Sequence, residues 1–131
     1  MMVGAHFILY VADQARSARF YAGVLAMAPR LDVPGMTEFA LPGGAVLGLM
    51  PEAGIVRLLP SLPHPQLARQ APRAELYLLV DDPASYHQRA LAAGGVELSP
   101  LQARNWGHEA AYSLDLDGHV LAFARALEAG R

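Results

Sequence analysis

The sequence predicts an α+β fold built from two similar halves. Three observations carry that expectation. An apolar run near the N-terminus, HFILYV, is followed by a capping aspartate and a helical stripe. A run of the same type, ELYLLV, recurs about 70 residues later with an aspartate at the matching offset, Asp13 in one half and Asp82 in the other. Each half then ends in a strand hairpin around a glycine-containing turn. A repeat of this length marks a duplicated module rather than a solenoid.

Taken in order, residues 5–12 (AHFILYVA) read as a buried strand, rich in β-branched and aromatic side chains. Asp13 caps Gln14–Ala26, where Ala18, Tyr21, Ala22 and Leu25 form an apolar stripe at helical spacing. Residues 36–41 and Ala45–Met50 are strands joined by the turn Pro42-Gly43-Gly44. Residues 51–73 hold five prolines and no clear period, so a linker or flap is expected. Residues 75–80 open the second half. Ser85–Ala93 is its helix, closed by Gly94-Gly95. A short strand at Val96–Leu98 follows, and then Glu109–Leu114 and His119–Ala124 flank the turn Asp115-Leu116-Asp117-Gly118. The organisation expected is one domain over 1–131: a first module at about 4–50, the proline-rich segment 51–73, and a second module at about 74–125.

Composition narrows the chemistry. The 131 residues suffice to bury a core without staples. There is no cysteine, which removes disulfides, thiolate metal sites and cysteine nucleophiles. All ten basic residues are arginine, so lysine Schiff-base chemistry and a Walker lysine are excluded. A net charge of −2 without a basic stripe gives no support for nucleic-acid binding. The N-terminal run lacks a basic n-region and is too short to span a bilayer. No membrane partner is expected, and the cytoplasm is the default location.

Three stretches together, HFILYVAD with ARSARFYAGVL, ELYLLVDDPASYHQRALAAGG, and WGHEAAYSLDLDGHVLAFA, resemble the vicinal-oxygen-chelate superfamily of glyoxalases, bleomycin-resistance proteins and extradiol dioxygenases. The resemblance implies paired βαβββ modules around a concave ligand cleft, often completed as a homodimer. It also implies a divalent metal held by His, Glu or Gln at corresponding strand positions. Those positions fall on His6, Gly48, Glu75 and Ala122. Two of the four carry no ligating group, whereas a catalytic metal site generally keeps three protein ligands and an open position. His6 and Glu75 are therefore expected to hydrogen-bond one another in an apolar cleft, with a metal pair at His6 and Glu75 as the alternative. His108, Glu109 or Glu38 are the candidates for a third ligand.

Strand alternation sorts the lining. His6, Ile8 and Tyr10 share one face, as do Glu75, Tyr77 and Leu79; Val46, Gly48 and Met50, and Val120, Ala122 and Ala124, would join them. Trp106 either stacks on a planar ligand or packs an interface, and Tyr112 depends on a register uncertain by one residue. The ligand-binding set is thus His6, Ile8, Tyr10, Met50, Glu75, Tyr77, Trp106 and Tyr112, with no catalytic residue assigned. His87 and His64 read as surface residues, and Asp115 and Asp117 as turn formers. The function expected is capture of an apolar or aromatic small molecule, antibiotics among the candidates, without a cofactor. Two alternatives stand beside it. One is a metal-dependent lyase, isomerase or transferase using His6, Glu75 and a third ligand. The other is a structural or regulatory module plugged by residues 51–73.

Overall fold

The computed structural model describes residues 1–128. These fall into two units, residues 1–69 and residues from Gln70 onward. The first unit contains β1 (Ala5–Val11), α1 (Gln14–Leu25), β2 (Leu31–Val33), β3 (Met36–Ala40), β4 (Ala45–Pro51) and α2 (Glu52–Leu58). The second contains β5 (Glu75–Leu79), α3 (Pro83–Ala92), β6 (Val96–Ala103), β7 (His108–Leu114) and β8 (Val120–Ala126). Each unit carries a βαβββ module, in agreement with the α+β expectation. The sheet orders correspond: β1-β4-β3-β2 in the first and β5-β8-β7-β6 in the second. In both, the first strand pairs parallel to the last and the remaining pairs are antiparallel.

The helices start where the aspartates allow. Asp13 accepts the Arg16 backbone N–H at 3.1 Å, and Asp82 accepts the Ser85 N–H at 3.3 Å and its hydroxyl at 2.7 Å. In the first unit α1 packs Phe20, Tyr21, Val24 and Leu25 onto Leu9, Val11, Phe39, Leu47 and Leu49, all buried, and the Tyr21 and Phe39 rings lie 6.4 Å apart. In the second, α3 lies over Phe123, whose ring is 5.6 Å from Tyr86. Full burial of side chains of this size stabilises the fold by about 1.5–3 kcal/mol each. The opposite parity of every strand is left on the other face of its sheet.

Five details differ from or add to those expectations. Segment 51–73, expected as a linker or flap, contains α2 at Glu52–Leu58 and a short 3-10 turn at Pro65–Ala68. The buried Glu52 at the start of α2 is ion-paired with Arg69 near the other end of the segment, and α2 packs against β1 and β4. A short strand, β2, precedes β3. The short strand expected at Val96–Leu98 runs on to Ala103 through two register shifts against β7. His87 is buried on α3 and its Nε2 lies 2.8 Å from Glu97, because it shares the inward stripe with Pro83 and Ala90. His64 is half-buried and accepts the Gln66 N–H at 3.1 Å, capping the 3-10 turn.

Candidate functional site

On the first sheet the register places His6, Ile8 and Tyr10 of β1 beside Val46, Gly48 and Met50 of β4. Glu38 of β3 pairs with Gly48 and lies on the same face. His6 Nδ1 comes within 3.5 Å of Glu38 Oε2. Glu38 is also held by Arg30, whose Nε and Nη2 both lie 2.9 Å from Oε1. Within the first unit the partner of His6 is Glu38. Gly48 leaves a gap that Ile8 fills. A Cβ built at Gly48 would fall inside contact distance of Ile8 Cδ1 and lie 3.2 Å from Met36 Sδ. Tyr10 and Met50 flank this point as register partners, both half-buried.

The second sheet carries the denser cluster. Tyr77 of β5, Ala122 of β8 and Tyr112 of β7 are consecutive cross-strand partners, so all three point from one face. This settles the register of Tyr112. Ala122 is fully buried between the two tyrosines. The Tyr77 hydroxyl lies 2.6 Å from His108 Nδ1 and accepts the Trp106 indole N–H at 2.9 Å. The Tyr77 and His108 rings stack with centroids 5.7 Å apart. Trp106 itself remains 52% exposed. Gly107, at φ 85°, makes the turn that sets Trp106 above β7.

Arg104 supports this face from the side. Its guanidinium lies 5.1 Å from the Tyr112 ring and donates to the Ala110 carbonyl at 2.8 Å, the Ser99 hydroxyl at 2.9 Å and the Pro100 carbonyl at 3.0 Å. Glu75 stands on the same face, two residues before Tyr77. No hydrogen bond or ion pair from another described residue reaches its carboxylate. Burial pushes the Tyr112 hydroxyl above its ordinary pKa of 10.0, and the nearby charge of Glu75 pushes it the same way. Leu79 continues the face and is 63% exposed.

Beneath the cluster, the turn between β7 and β8 is fixed by a buried polar knot. Asp115 Oδ1 accepts the backbone N–H groups of Asp117 and His119 at 2.9 Å each, and its Oδ2 lies 3.0 Å from His119 Nδ1. His119 is only 3% exposed. This knot holds the strands that present Tyr112 and Ala122.

The donors fit a metal poorly. Among the described residues no three His, Asp or Glu side chains converge on one point. Gly48 and Ala122 contribute no ligand, Ile8 occupies the space over Gly48, and Glu38 is committed to Arg30. His6 and Glu75 remain as single donors on separate sheets.

Arg104 is the member of these clusters that the sequence did not single out; His108 and Glu38 were expected only as candidate third metal ligands. His108 was available from its parity with Tyr112 along β7. Glu38 follows once β3 is set against β4, whereas Arg104 lies beyond the irregular register of β6.

Two four-stranded sheets, each with a helix on one face and a polar or aromatic cluster on the other, define a duplicated βαβββ protein with candidate binding faces. Residues 5–123 match the model of the Glyoxalase/Bleomycin resistance protein/Dioxygenase superfamily, and the chain belongs to that superfamily. Solved structures agree. A glyoxalase-related enzyme from Fulvimarina pelagi superposes with a TM-score of 0.79 at 26% identity, covering 95% of this chain and 88% of that one. A glyoxalase/bleomycin resistance protein/dioxygenase from Nocardioides gives 0.76 at 20% identity, covering 100% and 87%. A family enzyme from Burkholderia phytofirmans PsJN gives 0.74 at 18% identity, covering 93% and 97%. A comparison with curated proteins finds no match. No helix among the described residues is long and apolar enough to cross a membrane.

Proposed function

We propose that this protein binds a planar, partly apolar small molecule on the helix-free face of its second sheet, without a metal. The observation that carries the reading is the half-exposed Trp106, fixed through its indole N–H to Tyr77, which in turn is fixed to His108. Aromatic rings held in place in this way lose little freedom when a ligand stacks on them. The buried methyl of Ala122 sits between Tyr77 and Tyr112 and keeps a bulky side chain out from between the two rings. A mostly apolar surface with few, fixed polar groups suits organic ligands of this kind. The homodimer implied by the superfamily resemblance belongs to the same reading. Exposed Phe7 on the edge strand β1 is a surface that such a dimer would cover.

The competing reading is a metal-dependent lyase, isomerase or transferase. Its support is the 3.5 Å approach of His6 and Glu38, and the hold of Arg30 on Glu38 weakens it. Titration of chelator-treated protein with planar aromatic compounds, read by Trp106 fluorescence and calorimetry, tests the first reading. Saturable binding that Trp106→Ala abolishes supports it. Binding that appears only after a divalent metal is restored refutes it.

A further inference from the structure

The second sheet places an uncompensated carboxylate beside an aromatic face, and this narrows the chemistry of the ligand. Glu75, Tyr77 and Leu79 project from one side of β5, and Tyr77, Ala122 and Tyr112 lie abreast across three strands. The other ionisable groups at this face are engaged within the protein. The Arg104 guanidinium is spent on the Ala110 and Pro100 carbonyls and the Ser99 hydroxyl, and His108 is bonded to Tyr77. Glu109 and Arg125, one residue away in parity, pair with each other on the opposite side. Glu75 has no such partner among the described residues.

We propose that the ligand is a planar aromatic cation whose positive charge rests against Glu75 while its ring stacks on Tyr77, Tyr112 and Trp106. The inference rests on the metal-free binding reading above and specifies its ligand class. Glu75 stands where the superfamily resemblance implies a metal ligand, but its neighbour on β8 is Val120 and the implied ligand position on that strand is Ala122, so β8 supplies no second donor. A carboxylate with no protein cation against it, next to aromatic faces, is available to an organic cation. The tyrosine and tryptophan faces favour the same charge, because a cation over an aromatic ring is attracted by the ring's quadrupole. The exposure of Glu75 lets a ligand reach it without a buried-charge penalty.

The test uses two isosteric probes, N-methylacridinium and acridine, in mildly alkaline buffer where acridine is uncharged. Both are titrated calorimetrically into full-length chelator-treated protein and into Glu75→Gln, with melting temperatures recorded to verify folding. The cation is expected to bind roughly tenfold more tightly than its neutral counterpart, and Glu75→Gln is expected to remove most of that preference. Equal affinity for the two probes, or a preference unchanged in Glu75→Gln, overturns the cation assignment and leaves the binding reading in place. Failure of both probes, together with the wider aromatic panel, to bind the wild-type protein overturns the reading and the inference with it.

Discussion

The Tyr77 hydroxyl and His108 Nδ1 lie 2.6 Å apart, joining β5 to β7 across the intervening strand β8. The same hydroxyl accepts the Trp106 indole N–H. One oxygen thus fixes two rings, and the position of Trp106 depends on it.

Removing that oxygen in Tyr77→Phe is expected to cost about 1–2 kcal/mol, because the Trp106 indole N–H and His108 Nδ1 lose their shared partner. The indole N–H then turns to water, so the Trp106 emission maximum shifts to the red. Urea unfolding and emission spectra measure the two effects together. An unchanged spectrum would mean that Tyr77 does not hold Trp106.

Ala122 is fully buried between its cross-strand partners Tyr77 and Tyr112. Ala122→Leu is expected to destabilise the protein by about 1–3 kcal/mol through overpacking. It should also weaken binding of planar compounds by forcing the Tyr77 and Tyr112 rings apart. The near-isosteric Ala122→Ser keeps binding, and calorimetry on both variants checks the pair. Full binding by Ala122→Leu would place the ligand elsewhere.

The turn knot makes a separate prediction. Asp115→Ala strands the N–H groups of Asp117 and His119 and the His119 ring, which are buried. The expected loss is about 3–4 kcal/mol. Asp115→Asn recovers part of it, since an amide oxygen still accepts both backbone bonds. Midpoints of urea unfolding for the two variants settle the comparison.

Asp82 is held below its ordinary pKa of 3.8, first by the Ser85 hydroxyl and then by the Ser85 backbone N–H. Because the folded value is the lower one, its contribution to stability is fully present above the ordinary pKa. It is lost as pH falls through the folded value. Asp82→Asn should flatten the acid limb of melting temperature against pH and leave the neutral region less altered. Identical acid limbs would remove Asp82 from the account.

Much of the architecture was legible because each strand and helix carried its own local signal. Asp13 and Asp82 marked helix starts, and the Asp115–Gly118 turn marked the last hairpin. α2 was hidden because prolines surround it and its seven residues are too few to show a period. β2 was hidden because all three of its residues are exposed. The buried state of His87 was readable from its spacing with Pro83 and Ala90, but a histidine's polarity argued the other way. The site was legible only as faces. Strand parity grouped Glu75 with Tyr77 and His6 with Ile8, yet the partners lie far off in sequence. His108 is 31 residues from Tyr77, and Glu38 meets His6 only through the pairing of β3 with β4. Strand order decides such contacts, and no local window contains it.

The central claim is ligand capture without a metal. The most direct test is elemental analysis of the purified protein before and after incubation with Zn, Ni, Mn and Fe(II), with melting temperature and Trp106 titration recorded on each sample. The account predicts substoichiometric metal, no metal-induced rise in melting temperature, and the same saturable quenching by planar compounds in every sample. Near-stoichiometric metal that raises the melting temperature and is lost in His6→Ala would contradict it and move the protein to the metal-dependent enzymes of its superfamily.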